Sequence, residues 1–205
     1  IFLIKAVTVK KLIFVFLFTS FFVSSAFSHE LSFKLGTSFA EPINYKATSK
    51  ISSYNRSFHE DVDLFAPAIT TDFYYWLHPN LHIGIGINAE LLRNTDIIFE
   101  DISYYTPYIS VKPNIDVKDF NLYALAKLGT TFLTYKSPYH AGIDIKQRVS
   151  YSFGLGAEYK NFILEFVYNN LHWGTDEKIG PDISYVDYTQ HTYTFNIGYK
   201  INIFN

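Results

Sequence analysis

The chain has 205 residues, a formal net charge of -2 at pH 7 and no cysteine. That length fits one domain, or one domain plus a removable segment; the near-neutral charge leaves no footprint for nucleic acid, and the missing thiols exclude disulfides and any thiolate metal or catalytic site. Its 17 Tyr and 20 Phe are an excess that favours β-strands and membrane interfaces.

Residues 1–28 read as a secretory signal peptide. Lys5, Lys10 and Lys11 precede LIFVFLFTSFFV, an apolar run of 12, and Ala26 and Ser28 supply small residues before a cut. The run is too short for a membrane span of roughly 20 residues. Residues 29–205 are then expected to form a single domain. No window of 18 apolar residues follows, so a helical membrane protein is excluded, but segments of alternating polarity recur eight times.

The first segment, LSFKLGTSF at 31–39, sets Leu31, Phe33, Leu35 and Phe39 against Ser32, Lys34, Gly36 and Ser38. The second covers 65–77 and the third, LHIGIGINAEL, covers 81–91, with Pro79 and Asn80 supplying turn chemistry between them. The fourth, YYTPYISVKP, ends at Pro113, and the fifth occupies 120–132. The sixth, RVSYSFGLGAEY at 148–159, passes through a Lys160-Asn161 turn into the seventh, FILEFVY at 162–168. The eighth lies in HTYTFNIGYKINIFN, where every odd position from Tyr193 to Ile203 is large and apolar or aromatic. Connections of about 25, 3, 11, 6, 15, 2 and 21 residues alternate long with short. That is the layout of an eight-stranded antiparallel up-and-down transmembrane β-barrel, with tight turns at one end and long loops at the other.

Volume orients the faces. Eight strands leave an interior just wide enough to be filled by side chains. Strand three offers Leu81, Ile83, Ile85 and Ile87 against His82, Gly84, Gly86 and Asn88, and strand six offers Tyr151, Phe153 and Leu155 against Ser152, Gly154 and Gly156. The bulky set would overpack the lumen and is assigned to the outside. An apolar exterior all round a closed barrel requires a bilayer, which places the protein in the outer membrane. The inward set then carries Lys34, Asp72, Glu90, Lys112, Lys127, Glu158, Glu165 and Lys200, four basic and four acidic groups. Such a balance suits a plug of paired charges; the alternative is a narrow polar ion path.

The stretch FGLGAEYKNFILEFVY at 153–168, with glycines on alternate inward positions, a tight turn and an inward Glu165, resembles the OmpA-like and OmpX-like family of small outer-membrane β-barrels. The resemblance spans the mature chain and implies an integral outer-membrane protein of mixed possible roles. The row Tyr193, Phe195, Ile197, Tyr199, Ile201 and Ile203 also resembles the C-terminal signal read by the outer-membrane assembly machinery. It departs from that pattern at its end, where Phe204 lies off the row and Asn205 is last. No peptidoglycan-binding domain follows the barrel, so cell-wall anchoring is not expected.

Some barrels of this kind modify lipid A or phospholipid. The rim set His172, Asp176, Glu177 and Ser184 falls in the loop after strand seven, but its spacing assigns no nucleophile, and no catalytic residue is expected. His172 beside Trp173 reads as part of an aromatic girdle. Glu60, Asp61 and Asp63 in HEDVD lack the spacing and glycine of an EF-hand, so they read as a solvated acidic loop, with no metal or other cofactor expected. Arg56, Arg93 and Lys136 near the outer end are candidates for pairing with lipopolysaccharide phosphates. The leading expectation is a structural or surface-antigen barrel whose loops meet host or neighbouring cells. A narrow channel comes second and a lipid-modifying enzyme third.

Overall fold

The computed structural model describes residues 29–49, 55–94, 101–136, 144–179 and 182–203. The predicted signal peptide lies outside these residues. Among the described residues twelve strands form one sheet: β1 (His29–Ala40), β2 (Ile43–Ser49), β3 (Asn55–Glu60), β4 (Phe65–His78), β5 (Leu81–Asn94), β6 (Asp101–Val117), β7 (Phe120–Thr130), β8 (Phe132–Lys136), β9 (Asp144–Gln147), β10 (Val149–Tyr159), β11 (Phe162–Ile179) and β12 (Asp182–Asn202). Eight of them make a closed antiparallel ring in the order β1, β4, β5, β6, β7, β10, β11, β12. β12 returns to β1 with Glu30 opposite Asn202 and Ala40 opposite Thr192, so no strand edge is left unpaired inside a bilayer.

Tight turns gather at one end with both ends of the ring. His78 and Leu81 flank the first, while Lys118 and Lys160 begin the other two with φ of 56° and 54°, the positive φ that suits the twist of a hairpin. The fourth strand therefore runs past Pro113 to Val117, and its expected six-residue connection shrinks to Lys118-Asp119.

At the opposite, loop end the structure departs further from the sequence expectation. The 25-residue first loop holds the β2–β3 hairpin, which pairs with β12 from Ser184 to Thr189. The expected 21-residue fourth loop is mostly strand, with β11 and β12 paired from Phe162 opposite Tyr199 up to Ile179 opposite Asp182. The cause is an inversion of polarity rather than a break in the strand. Below it Leu164 and Phe166 face out; above it Leu171 and Trp173 face in, while His172 faces out. On β12 Val186 and Tyr188 are likewise buried between the less buried Asp187 and Thr189. The strands keep their period of two, but leave the hydrocarbon and become a wall with an apolar inside and a wet outside.

Leu35 and Leu155 are each 68% exposed and Phe162 is 63% exposed, and such residues recur on every strand of the ring. An unbroken belt of this kind is stable only against lipid. The inside is less simple than a small-residue face. Tyr74, Tyr108 and Tyr123 are buried within it, each directly across from glycine: Tyr74 from Gly84, Tyr108 from Gly86 and Gly129, and Tyr123 from Gly156. A Cβ on Gly84 would stand 2.5 Å from the Tyr74 ring and 2.8 Å from the Phe73 carbonyl oxygen. The bulky sets of strands three and six do face out, but other strands also send tyrosines inward, and the glycines are small because tyrosines from the next strand occupy their share of the lumen.

Candidate functional site

The lumen holds three stacked polar networks. Nearest the turns, Lys112 donates to Glu30 Oε1 at 2.9 Å and pairs with Glu158, while Lys200 pairs with the same two carboxylates. The Lys112 ammonium also lies 4.7 Å over the Tyr74 ring centroid and 4.6 Å over that of Tyr123, so its positive charge meets π-faces as well as carboxylates.

Half-way up, Lys34 Nζ lies 2.7 Å from Asp72 Oδ2 and 2.6 Å from Glu165 Oε2. Lys127 stands 3.7 Å from Glu165 Oε1 and over the Tyr108 ring. The carboxylates accept further bonds from Tyr108 and Ser32 to Asp72, and from Tyr123 and Asn196 to Glu165. Buried charges survive only when paired and saturated in this way.

The third network surrounds Glu90, which accepts from Ser38 Oγ at 2.8 Å and Thr192 Oγ1 at 2.9 Å. Arg93 joins it from three residues along, 3.4 Å from Glu90 Oε2, and donates to Ser38 Oγ and to the Asp63 carbonyl. Above it sits an apolar layer of Ile43, Ile102, Tyr104, Leu171, Trp173 and Tyr188, in which Trp173 stacks on Tyr188 with ring centroids 5.6 Å apart.

All eight charges read from parity, Lys34, Asp72, Glu90, Lys112, Lys127, Glu158, Glu165 and Lys200, line this interior, the last of them with its side chain 12% exposed. Two more belong with them. Glu30 falls one residue before the apolar alternation begins, and Arg93 follows a register shift in β5 between Glu90 and Arg93. Arg93 was expected to face lipopolysaccharide; it is fully buried and bound inside, because the shift turns it toward the lumen. The side chains of Arg56 and Lys136 lie outside the described residues.

The rim residues also separate. Trp173 is buried in the apolar layer and belongs to no girdle, whereas His172 faces outward with Nε2 3.7 Å from Asp187. Glu177 pairs in register with Ser184, and Asp176 with Tyr185. Asp61 and Asp63 are exposed beyond the end of β3, and among the described residues no three His, Asp or Glu side chains are arranged to hold a metal. A concavity of about 710 Å³ lined by Phe73, Ile83, Ile109, Leu128 and Phe153 lies on the lipid-facing side of the wall and is no aqueous pocket.

The outward row on β12, Tyr193, Phe195, Ile197, Tyr199 and Ile201, points to lipid, with Ile203 just past the strand end. At its outer limit Tyr168 and Tyr193 pack at 5.5 Å, the Tyr168 hydroxyl bonds His191 Nδ1 at 2.7 Å, and the Tyr193 hydroxyl donates to Glu41. These groups combine an apolar ring with a polar tip, as residues at a membrane interface do.

No family model and no curated protein matches the sequence. Solved structures do match in shape. The outer membrane protein AlkL, determined in lipid bilayers, superposes with a TM-score of 0.57 over 89% of this chain and 95% of that one, at 12% identity. This chain has the fold of a small outer-membrane β-barrel. Two further structures align with this outer-membrane barrel at lower scores. They are Neisserial surface protein A (TM-score 0.46, 13% identity, 84% of this chain and 97% of that one) and the attachment invasion locus protein Ail of Yersinia pestis (0.43, 15%, 84% and 98%). The barrel is an outer-membrane protein by that fold and by its lipid-facing belt.

Proposed function

We propose that this protein is a closed barrel that works from its loop end, as a structural and surface-exposed antigen or adhesin meeting host or neighbouring cells, without a catalytic step of its own. The observation that carries the reading is the plug: three ionic networks, topped by an apolar layer around Trp173, occupy the lumen at successive levels. Water and ions need a continuous wet path, and a buried charge pair opens only at the cost of leaving its partners uncompensated. The paired strands of the β2–β3 and β11–β12 hairpins supply a platform for recognition at the loop end. The outward row of β12 is the surface offered to the assembly machinery during insertion.

Planar-bilayer recording of the pure folded protein tests this reading. Silence is expected, together with loss of cell-surface binding when residues 50–54, which join β2 to β3, are exchanged for a short glycine-serine link. Reproducible single-channel steps would favour the narrow pore instead.

A further inference from the structure

Above the lipid-facing belt the outer wall carries a polar groove of about 450 Å³ that the closed-barrel reading does not use. Its lining comes from four strands: Ser57 and His59 of β3, Lys46 of β2, Asp187 and Thr189 of β12, and His172 of β11. In register, Lys46 stands opposite Asp187 and His172 opposite Thr189. Asp187 Oδ1 also lies 3.8 Å from Arg148 Nε, which brings a further cation to the edge of the groove. Ammonium, guanidinium, imidazole N–H and two hydroxyls make a donor-rich surface with a single carboxylate, which is the chemistry that holds a phosphate monoester.

The height of the groove says where that phosphate comes from. Tyr168 and Tyr193 mark the outer limit of the hydrocarbon, and His172 and Thr189 are each four residues beyond them on the same outward face. Four residues rise about 13 Å along a strand, or about 10 Å along the membrane normal at the usual barrel tilt. That is the outer edge of the headgroup layer, clear of the hydrocarbon. The groove also opens on the flank of the barrel rather than at its summit, so a lipid moving in the outer leaflet reaches it sideways with its chains against the belt below.

We infer that the groove lined by Lys46, His59, His172 and Thr189 binds the phosphate of a phosphorylated glycolipid in the outer leaflet. The site fixes the depth of the barrel and holds one lipid at the β2–β12–β11 side.

Native mass spectrometry of the folded protein released from dodecyl maltoside, titrated with bis-phosphorylated lipid A, with dephosphorylated lipid A and with inorganic phosphate, tests the assignment. Phosphorylated lipid A is expected to stay bound, and Lys46→Gln with His172→Gln to weaken it about tenfold or more. Lys46→Arg keeps the charge and is expected to keep the lipid, and Lys118→Gln at the turn end is expected to change nothing. The heat-shifted gel mobility of each variant reports folding independently. Equal retention of the dephosphorylated lipid, or equal loss with Lys118→Gln, would overturn the proposal. Inorganic phosphate binding as tightly as the lipid would overturn the assignment to a membrane source. None of these outcomes depends on whether the lumen conducts.

Discussion

Lys34 Nζ and Glu165 Oε2 meet at 2.6 Å inside the barrel across 131 positions of sequence. Lys34 is also the near partner of Asp72, so one ammonium holds two buried carboxylates. Lys34→Met is expected to destabilise the folded barrel by about 3 to 5 kcal/mol, because Lys127 stands farther off and leaves Asp72 without a close cation. Urea unfolding in phosphatidylcholine vesicles reads this as a lowered midpoint. A variant as stable as the parent would mean that water reaches these carboxylates.

The cross-strand pair of Tyr74 and Gly84 is expected to behave as one unit. Gly84→Ala drives a methyl group against the Tyr74 ring, and Tyr74→Leu vacates that space. The double variant should recover stability relative to the sum of the singles, with a coupling of about 0.5 to 3 kcal/mol. Strict additivity would show that the added methyl is opposed by the Phe73 carbonyl rather than by the ring.

Polarity along the outer wall gives a depth test. Ile85→Arg, in the lipid-facing belt, is expected to cost about 2 to 4 kcal/mol, and Thr189→Arg, outward but above the belt, about 1 kcal/mol or less. Both are measured as vesicle unfolding midpoints. Equal losses would place the β11–β12 extension inside the hydrocarbon.

Arg93 ties the loop end to the lumen through Asp63, Ser38 and Glu90. Arg93→Met leaves Glu90 with neutral donors only and frees the segment between β3 and β4. Limited proteolysis of the folded variant should cut near Asp63 sooner than in the parent, while the turn end stays resistant. An unchanged cleavage pattern would show that Arg93 does not restrain this segment.

How far the sequence reaches is clearest in β11. Its lower half was legible because Leu164 and Phe166 contrast with Glu165, and that contrast is written by lipid outside and a narrow lumen inside. Its upper half was not, because above the bilayer His172 and Trp173 exchange roles and the expected contrast reverses. Glu30 and Arg93 were missed for a related reason: one sits at the frayed start of an alternation and the other behind a register shift.

Parity along a strand is a local property, set by the pleat, and within the membrane-spanning part it placed the eight named charges inside and the aliphatic rows outside. Partnership is not local. Whether Lys112 meets Glu30 and Glu158 rather than Glu165 depends on the stagger between strands, as does the seating of Tyr74 over Gly84. Stagger is set only when all eight strands close and the hydrogen-bond registers must agree around the ring. Closure therefore decided the plug and the apolar layer beneath the loops, while the pairing of the β2–β3 hairpin with β12 decided the groove on the outer wall.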